Sequence, residues 1–437
     1  MAILAARPEK QEVVVRELAR KVTKMVDKGL HVHTFVHRLL KEFCAAAPEG
    51  TAVETLLPAL HDATLALSET VDGAWTTSFC LGYGSAKDRK KMVKGLKGFV
   101  TACARHINAH MVVVKFLSTM DDTVLLRKAV ISELAANLPD VVTDRYACKV
   151  LLHLLAPLSK RYFFADDAAV VALGHGSKKS PEVRRAELLP SLKDPLLAHL
   201  SSSAVCARAM RNQWSCDVLC EAIAVWAGEV EGAATVEVEA AVAAAAVEVV
   251  SEVADAAAKK AVVAARPEKQ PSFGGKGLKD GDDEEGEGEG DEEEGEEGGA
   301  GGESKGDDAE EGDEGDEAVC AMHHPCGHRA LVRMLRQEET RDAATFANGL
   351  AATLLEADAT MAQWTETAHS SYVVQALLAR TGLAQEDDLK AALGALRPAL
   401  EKKIKAIRKA TKGDKSQQNG FTLLLQRLDG TAAPMGE

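Results

Sequence analysis

Lys87, Lys90, Lys91 and Lys94 recur at i, i+3, i+4 and i+7, so a helix through them carries four ammonium groups along one face. Met92, Val93, Leu96 and Phe99 fall on the opposite face and would hold such a helix to a core. Arg89 and Lys97 lengthen the basic run. A stripe of this kind can neutralise backbone phosphates, which gives affinity without base preference. A charge run is also the usual form of a solvated helix face. Two other basic groups raise the same pair of readings. One is Lys402, Lys405, Lys409 and Lys412, opposite Leu400, Ile404 and Ile407; the other is Lys178, Lys179, Arg184 and Arg185.

Other residue types tempt toward metal chemistry. Cys320, His323, His324, Cys326 and His328 lie within nine residues and are ligand types that suit zinc. Their spacing matches no closed zinc motif, and they read better as structural side chains. His33 and His37 stand i, i+4 with His31 nearby, but no acidic partner or third ligand accompanies them. No metal or cofactor is assigned. There is no GxSxG and no P-loop, and GSAKDRK and GHGSKKS lack the strand-then-helix setting of a phosphate-cradling loop. The expectation is a binding protein, not an enzyme.

The elements that must position these residues repeat. GAWTTSFCL, AHMVVVKFL and ACKVLLHLL start at Gly73, Ala109 and Ala147, 36 and 38 residues apart. Each opens on a small residue and places apolar pairs at i, i+1, i+4 and i+5, as Val150, Leu151, Leu154 and Leu155 do. That spacing is one buried helix face, and the period is that of a helical solenoid. VHTFVHRLL, SCDVLCEAI, GHRALVRML and SSYVVQALL repeat the phrase from Val32, Ser215, Gly327 and Ser370, and GFTLLLQRL is a weaker copy from Gly420. The fold class expected is all-α, a stack of repeats spread over the 437 residues.

Composition divides the chain into residues 1–226, 227–317 and 318–430. The first and last carry helical periodicity, with helices expected over 12–44, broken near Gly29, over 53–70 and over 194–226, and a long connection over 166–190 in which Ser180-Pro181 can start a helix over EVRRAELL. Residues 233–265 are almost entirely Ala, Val and Glu and should be helical in part. Past Pro267 a Gly/Glu/Asp run cannot bury enough apolar surface to fold, so residues 227–317 read as a largely disordered insertion within one solenoid. AARPEKQ at 5–11 recurs at 264–270, a duplication with no physical account. The net charge of −14 conceals a basic body: residues 280–317 hold 22 Asp or Glu and one Lys, and the remainder balances at +7. Nine cysteines, scattered singly at mostly apolar positions, read as reduced buried thiols of an intracellular protein. The apolar run at the N-terminus is too short for a signal peptide, and no stretch approaches the ~20 apolar residues of a membrane span.

The phrase resembles the second helix of a pumilio (PUF) repeat as it occurs in the divergent Puf-A or Penguin family, whose C-terminal part is the CPL region. SAKDRKKMVKGLKGFV (85–100), LLRKAVISELAANLPDVVTDRYACKVLLHLLAP (125–157), SPEVRRAELL (180–189), HPCGHRALVRML (324–335) and ALRPALEKKIK (395–405) carry the resemblance in order and spacing. It implies three-helix repeats, with the chain matching the C-terminal half to two-thirds of family members. In PUF repeats the first and fifth variable positions of the phrase meet a base edge and the second stacks between bases. The positions carried over are His33, Thr34 and His37; Ala74, Trp75 and Ser78; His110, Met111 and Val114; and Cys148, Lys149 and Leu152. The later repeats give Cys216, Asp217 and Cys220; His328, Arg329 and Val332; and Ser371, Tyr372 and Gln375. Ala74, Val114, Leu152 and Val332 cannot read a base edge, so only Ser371, Tyr372 and Gln375 keep an evident triplet. Trp75 and Tyr372 suit either base stacking or packing between repeats. The resemblance implies a nucleolar and nuclear protein that binds RNA, and DNA as a second polyanion, with little sequence preference. It also implies work in large-subunit ribosome biogenesis and translational control, with proteins of the pre-ribosomal particle as partners and neither a membrane nor a small-molecule substrate. The alternative is a HEAT- or armadillo-like scaffold with no nucleic-acid role.

Overall fold

The computed structural model describes residues 11–61, 63–227, 233–247, 320–341, 343–356, 367–380, 382–410 and 419–430. The regular elements among them are helices. Each of the eight phrases forms one. These are α1 (Thr34–Ala46), α2 (Val71–Tyr83), α3 (Ala109–Thr119), α4 (Arg145–Leu155), α5 (Gln213–Trp226), α6 (Pro325–Glu339), α7 (Ala368–Leu378) and α8 (Asn419–Leu428). Every one packs against the next, so the eight make a single ladder, and all belong to one compact unit. The apolar pairs of the phrase form its core, with Val150, Leu151, Leu154 and Leu155 all buried.

Local chemistry fixes where each rung begins. Thr70 accepts from Gly73 N–H, Asp144 from Tyr146 and Ala147 N–H, and Asn212 from Trp214 and Ser215 N–H, which satisfies first-turn donors that a helix leaves unpaired. The small first residue has a steric cause: a Cβ on Gly73 would lie 2.1 Å from the Leu67 carbonyl oxygen. The other ends of α2, α3 and α4 are closed by inward-turned arginines, Arg89 and Arg184 buried and Arg185 half-buried. Arg89 donates Nε to Leu81 O (2.7 Å), Nη2 to Gly82 O (3.0 Å) and Nη1 to Thr119 O (3.1 Å), joining the C-termini of α2 and α3. Arg184 donates to Ser118 O at the end of α3, and Arg185 to Leu154 O (2.7 Å) and Leu155 O (2.6 Å) at the end of α4. A planar guanidinium with five donors suits several divergent carbonyls where an ammonium does not.

Two segments depart from the sequence reading. The connection over 166–190 holds the helix expected after Ser180-Pro181, Pro181–Leu188, but also an unexpected one, Ala165–Ala172, which packs on α2 and α3. The Ala/Val/Glu stretch read as part of an insertion supplies a structural helix, Ala233–Val247, that packs against Thr345–Glu356 and the helices before it. Its Val238, Val242, Ala243, Ala245 and Ala246 are buried. The solenoid therefore continues past residue 226. Residues 248–319, with the acidic tract, lie outside the described residues. In place of one helix over 53–70 there are two, Glu49–Leu60 and Thr64–Leu67.

Candidate nucleic-acid interface

The lysine stripe sits on the helix Ala86–Gly95. A capping box starts it: Asp88 N–H donates to Ser85 Oγ (3.3 Å) and Ser85 N–H to Asp88 Oδ2 (3.0 Å). Met92, Val93 and Leu96 are buried beneath, while Lys87, Lys90, Lys91, Lys94 and Lys97 are all exposed. Lys90 has Asp122 at 3.8 Å. Among the described residues the other four have no carboxylate partner. Four ammonium groups thus face solvent from a firmly seated helix, and that of Lys97 from the turn that follows it. Arg89 does not join them: it is 7% exposed and capping helix ends, which corrects its assignment to the stripe.

On the helix Glu386–Ala410, Lys402, Lys405 and Lys409 are exposed above buried Leu400 and Ile404, and Lys412 lies outside the described residues. The third basic cluster is not a binding surface. Arg184 and Arg185 cap α3 and α4, Lys179 pairs with Glu187 at 2.6 Å, and Lys178 alone is exposed.

Most base-reading positions are occupied by protein. His37 is buried, with Nδ1 2.7 Å from Thr70 Oγ1 and Nε2 2.6 Å from His31 O. His110 is buried against Tyr146, and burial, with Lys149 nearby, holds its imidazole down at about 4, so it is neutral at pH 7. Ser371 is buried and donates to Thr367 O at 3.1 Å, and Gln375 is buried beside it, so the one evident reading triplet presents neither edge group to solvent. Lys149 is half-buried, 3.2 Å from Asp167 and over the Phe164 ring. These placements remove His37, His110, Lys149, Ser371 and Gln375 from the interface. His33 is exposed and stacks on Phe35, and Arg329 is exposed with Nε on Pro325 O at 2.7 Å. Trp75 stacks on Phe79 and lies under the Lys41 ammonium of α1, while Tyr372 lies against His328 of α6. Both aromatics pack onto a neighbouring rung. The His/Cys cluster is engaged likewise: His323 Nδ1 meets Thr367 Oγ1 at 2.9 Å and His324 Nδ1 accepts from Cys326 N–H at 3.1 Å.

Sequence reasoning missed a cover. Residues 158–176 lie across the middle rungs, at the helix face that carries the reading positions. Arg161 pairs with Asp217 (3.3 Å) and Tyr162 donates to Glu221 (2.7 Å) on α5. Asp167 takes Lys149 on α4, and the Lys115 ammonium of α3 donates to Val171 O (2.7 Å) and to Leu173 O. Gly174 crosses Gly82 of α2 so closely that a Cβ on it would stand 2.2 Å from the Gly82 carbonyl carbon. The signal available was Lys115, a lone cation in the apolar phrase AHMVVVKFL, which needed acceptors from elsewhere in the chain.

An uninterrupted ladder of second-helix phrases, capped at both ends and backed by outer helices, defines a pumilio-like helical-repeat protein. Residues 143–271 match the CPL (NUC119) domain. Pumilio homolog 3 of Homo sapiens is 36% identical over 206 residues, 46% of this chain and 32% of that protein. Pumilio homolog 24 of Arabidopsis thaliana is 33% identical over 171 residues, 39% of this chain and 27% of that one. The matches therefore span about a third of the length of the curated relatives. The crystal structure of human Puf-A superposes with a TM-score of 0.68 at 24% identity, covering 97% of this chain and 68% of that one. Human Puf-A in complex with DNA gives 0.67 at 24%, with 93% and 67% covered. These likenesses are consistent with the Puf-A/Penguin family of pumilio-like proteins, and the superpositions show a shared fold.

Proposed function

We propose that the protein binds RNA, and DNA as a second polyanion, chiefly through phosphate contacts from Lys87, Lys90, Lys91, Lys94 and Lys97, without reading sequence. The observation that carries this is five exposed ammonium groups, four on one seated helix and Lys97 in the turn that follows it, four of the five without a carboxylate partner among the described residues. The burial of His37, His110, Ser371 and Gln375 supports the absence of a base code. That human Puf-A has been crystallised with DNA supports a polyanion as partner. The role we propose is nucleolar, in assembly of the large ribosomal subunit and in translational control, among proteins of the pre-ribosomal particle. Binding, not catalysis, is the activity.

The test is a titration with single-stranded RNA, duplex RNA and duplex DNA at several salt concentrations. Each phosphate contact adds about 0.7 to the slope of log affinity against log salt for single strands and about 0.9 for duplex. Reversing Lys87, Lys90, Lys91 and Lys94 together to Glu should weaken binding to every sequence alike and flatten the slope by roughly 3 units. Unchanged affinity and slope in a folded variant would return the stripe to a solvated face. Absence of any salt-dependent binding in the parent protein would favour a protein scaffold.

A further inference from the structure

Four helical segments outside the ladder follow one another: Glu49–Leu60, Ala86–Gly95, the run 123–136 and Pro181–Leu188. Each is tied to the next. His61, which ends the first, meets Asp88 at 3.2 Å. Lys90 Nζ lies 3.8 Å from Asp122, and the Thr123 hydroxyl donates to Glu187. The run 123–136 consists of Thr123–Leu126, a π-helical turn Arg127–Ile131 and Ser132–Ala136. It lies parallel to the stripe helix. Lys90 meets Asp122 at its start, and Glu133 near its end accepts from Gly98 N–H (2.8 Å) and Thr101 N–H (3.1 Å), just beyond Gly95.

Arg127 and Lys128 are exposed on that run, while Leu126, Ala129, Val130, Ile131 and Leu134 are buried beneath them. The π turn begins at the two cations, and such turns concentrate at functional sites. Neither cation has a carboxylate partner among the described residues. Glu187, within electrostatic reach of Arg127, is bonded to Lys179 (2.6 Å) and to the Thr123 hydroxyl. Glu133 is taken by the two backbone N–H groups. The flanking helices offer no exposed cation. Glu49–Leu60 contains none and exposes Glu49 and Glu54, and Pro181–Leu188 exposes Glu182 and turns both arginines inward. The positive surface is therefore two helices wide and bounded on both sides by carboxylates.

We propose that Arg127 and Lys128 form a second row of phosphate contacts parallel to the lysine stripe, and that the two rows hold the two backbones of a duplex. The proposal rests on the reading of the stripe as a phosphate-binding face. Neighbouring packed helices lie about 8–10 Å apart, between the ~6 Å minor and ~12 Å major groove widths of duplex DNA. Long cationic side chains on adjacent helices thus reach phosphates on either side of one groove. A single strand has one line of phosphates and follows one row.

The test uses the full chain and one RNA strand, alone and annealed to its complement, titrated at several salt concentrations. Arg127→Gln with Lys128→Gln removes two exposed cations, and thermal melts verify that the variant folds. Loss of two duplex contacts should lower the slope of log affinity against log salt by about 1.8 for the duplex, whereas the single-strand slope should change by less than about 0.7, one contact. Lys21→Gln with Lys24→Gln, an equal charge change on the exposed side of the helix Gln11–Asp27, should move neither slope. An unchanged duplex slope, an equal fall in both slopes, or an equal effect of the Lys21 and Lys24 pair would each overturn the second row. Reversal of the four stripe lysines to Glu, run alongside, separates the two readings. If it flattens the slopes while the Arg127 and Lys128 pair does not, the stripe stands and the second row falls. If neither variant does, both fall.

Discussion

Two basic stretches that look alike as sequence, KDRKKMVK at 87–94 and KKSPEVRR at 178–185, do opposite things. In the first the lysines face solvent and the single arginine, Arg89, turns inward to three helix-end carbonyls. In the second both arginines turn inward and Lys179 is tied to Glu187. The division follows side-chain chemistry. A guanidinium can be buried when its fixed fork meets several carbonyls, whereas a strongly hydrated ammonium stays in water unless acceptors surround it. Lys115 tests that rule from the other side: it is 1% exposed, and burial, with Arg89 nearby, pulls its ammonium down to about 8.

The sharpest way to break the comparison is within one helix. Arg89→Leu leaves the carbonyls of Leu81, Gly82 and Thr119 without that donor, and each orphaned buried acceptor costs about 1–3 kcal/mol. A loss of about 3 kcal/mol or more by chemical denaturation is expected, and Arg89→Lys should not restore it. Lys91→Gln, two residues on and exposed, should change stability by less than about 0.5 kcal/mol. Equal effects from the two substitutions would mean that the inward and outward roles are misassigned.

A smaller effect probes the cover. Gly174 has φ of +102° and would place a Cβ against the Gly82 backbone. Gly174→Ala should cost about 1–3 kcal/mol, concentrated in residues 158–176. Hydrogen exchange should accelerate there before it does in α2 and α3. Uniform acceleration throughout the array would show that cover and ladder unfold as one.

The ladder was legible in the sequence because its signal is local. Apolar pairs at i, i+1, i+4 and i+5 and a small first residue report burial on one face and a close carbonyl, and all eight phrases became rungs. The cover was not legible because its bonds run to backbone carbonyls or span large separations: Lys115 to Val171, Tyr162 to Glu221, Gly82 against Gly174. Backbone acceptors leave no mark in side-chain identity. The helix Ala233–Val247 was hidden for a different reason. Its low-complexity composition resembles the acidic run that follows it, yet Ala and Val are what a helix needs to approach Thr345–Glu356 closely, and Glu239 is accommodated by Arg341 at 4.0 Å. The stripe was half legible: its periodicity marked the exposed face, and only the structure shows Arg89 leaving it.

Acid titration compares buried with exposed polar groups more gently. Burial is the main cause that lowers His110 and His153 from 6.5 to about 4, helped by Lys149 and Arg184 respectively. Between those values the unfolded chain binds protons that the folded one refuses, so stability falls as pH drops from 6.5 toward 4. Each histidine contributes at most about 1.4 kcal/mol per pH unit. Denaturant midpoints should decline over that window, and His153→Gln should shallow the decline. A midpoint independent of pH there would contradict the burial of both rings as neutral groups.

The smallest effect expected is the one that decides how the protein recognises nucleic acid. A reader of sequence needs consecutive rungs that each offer a donor and acceptor to a base. Here the middle rungs are covered by residues 158–176, and Ser371 and Gln375, the one pair with suitable chemistry, are buried. A good bidentate contact discriminates by about 1–3 kcal/mol, so its absence across the array removes most of the preference. Trp75 lies on Phe79 of its own rung and under Lys41 of the adjacent rung, and Tyr372 packs against His328 of the neighbouring rung; any stacking they add is indifferent to base identity because every base has a π-face. Scrambling a bound RNA at constant length should therefore change affinity by less than about tenfold, or about 1.4 kcal/mol. Selection from a random RNA pool should give a weak consensus or none. A long, sharply defined consensus would require the cover to leave the rungs and the buried triplet to turn outward, and hydrogen exchange of residues 158–176 and of α7 with that RNA bound would reveal each.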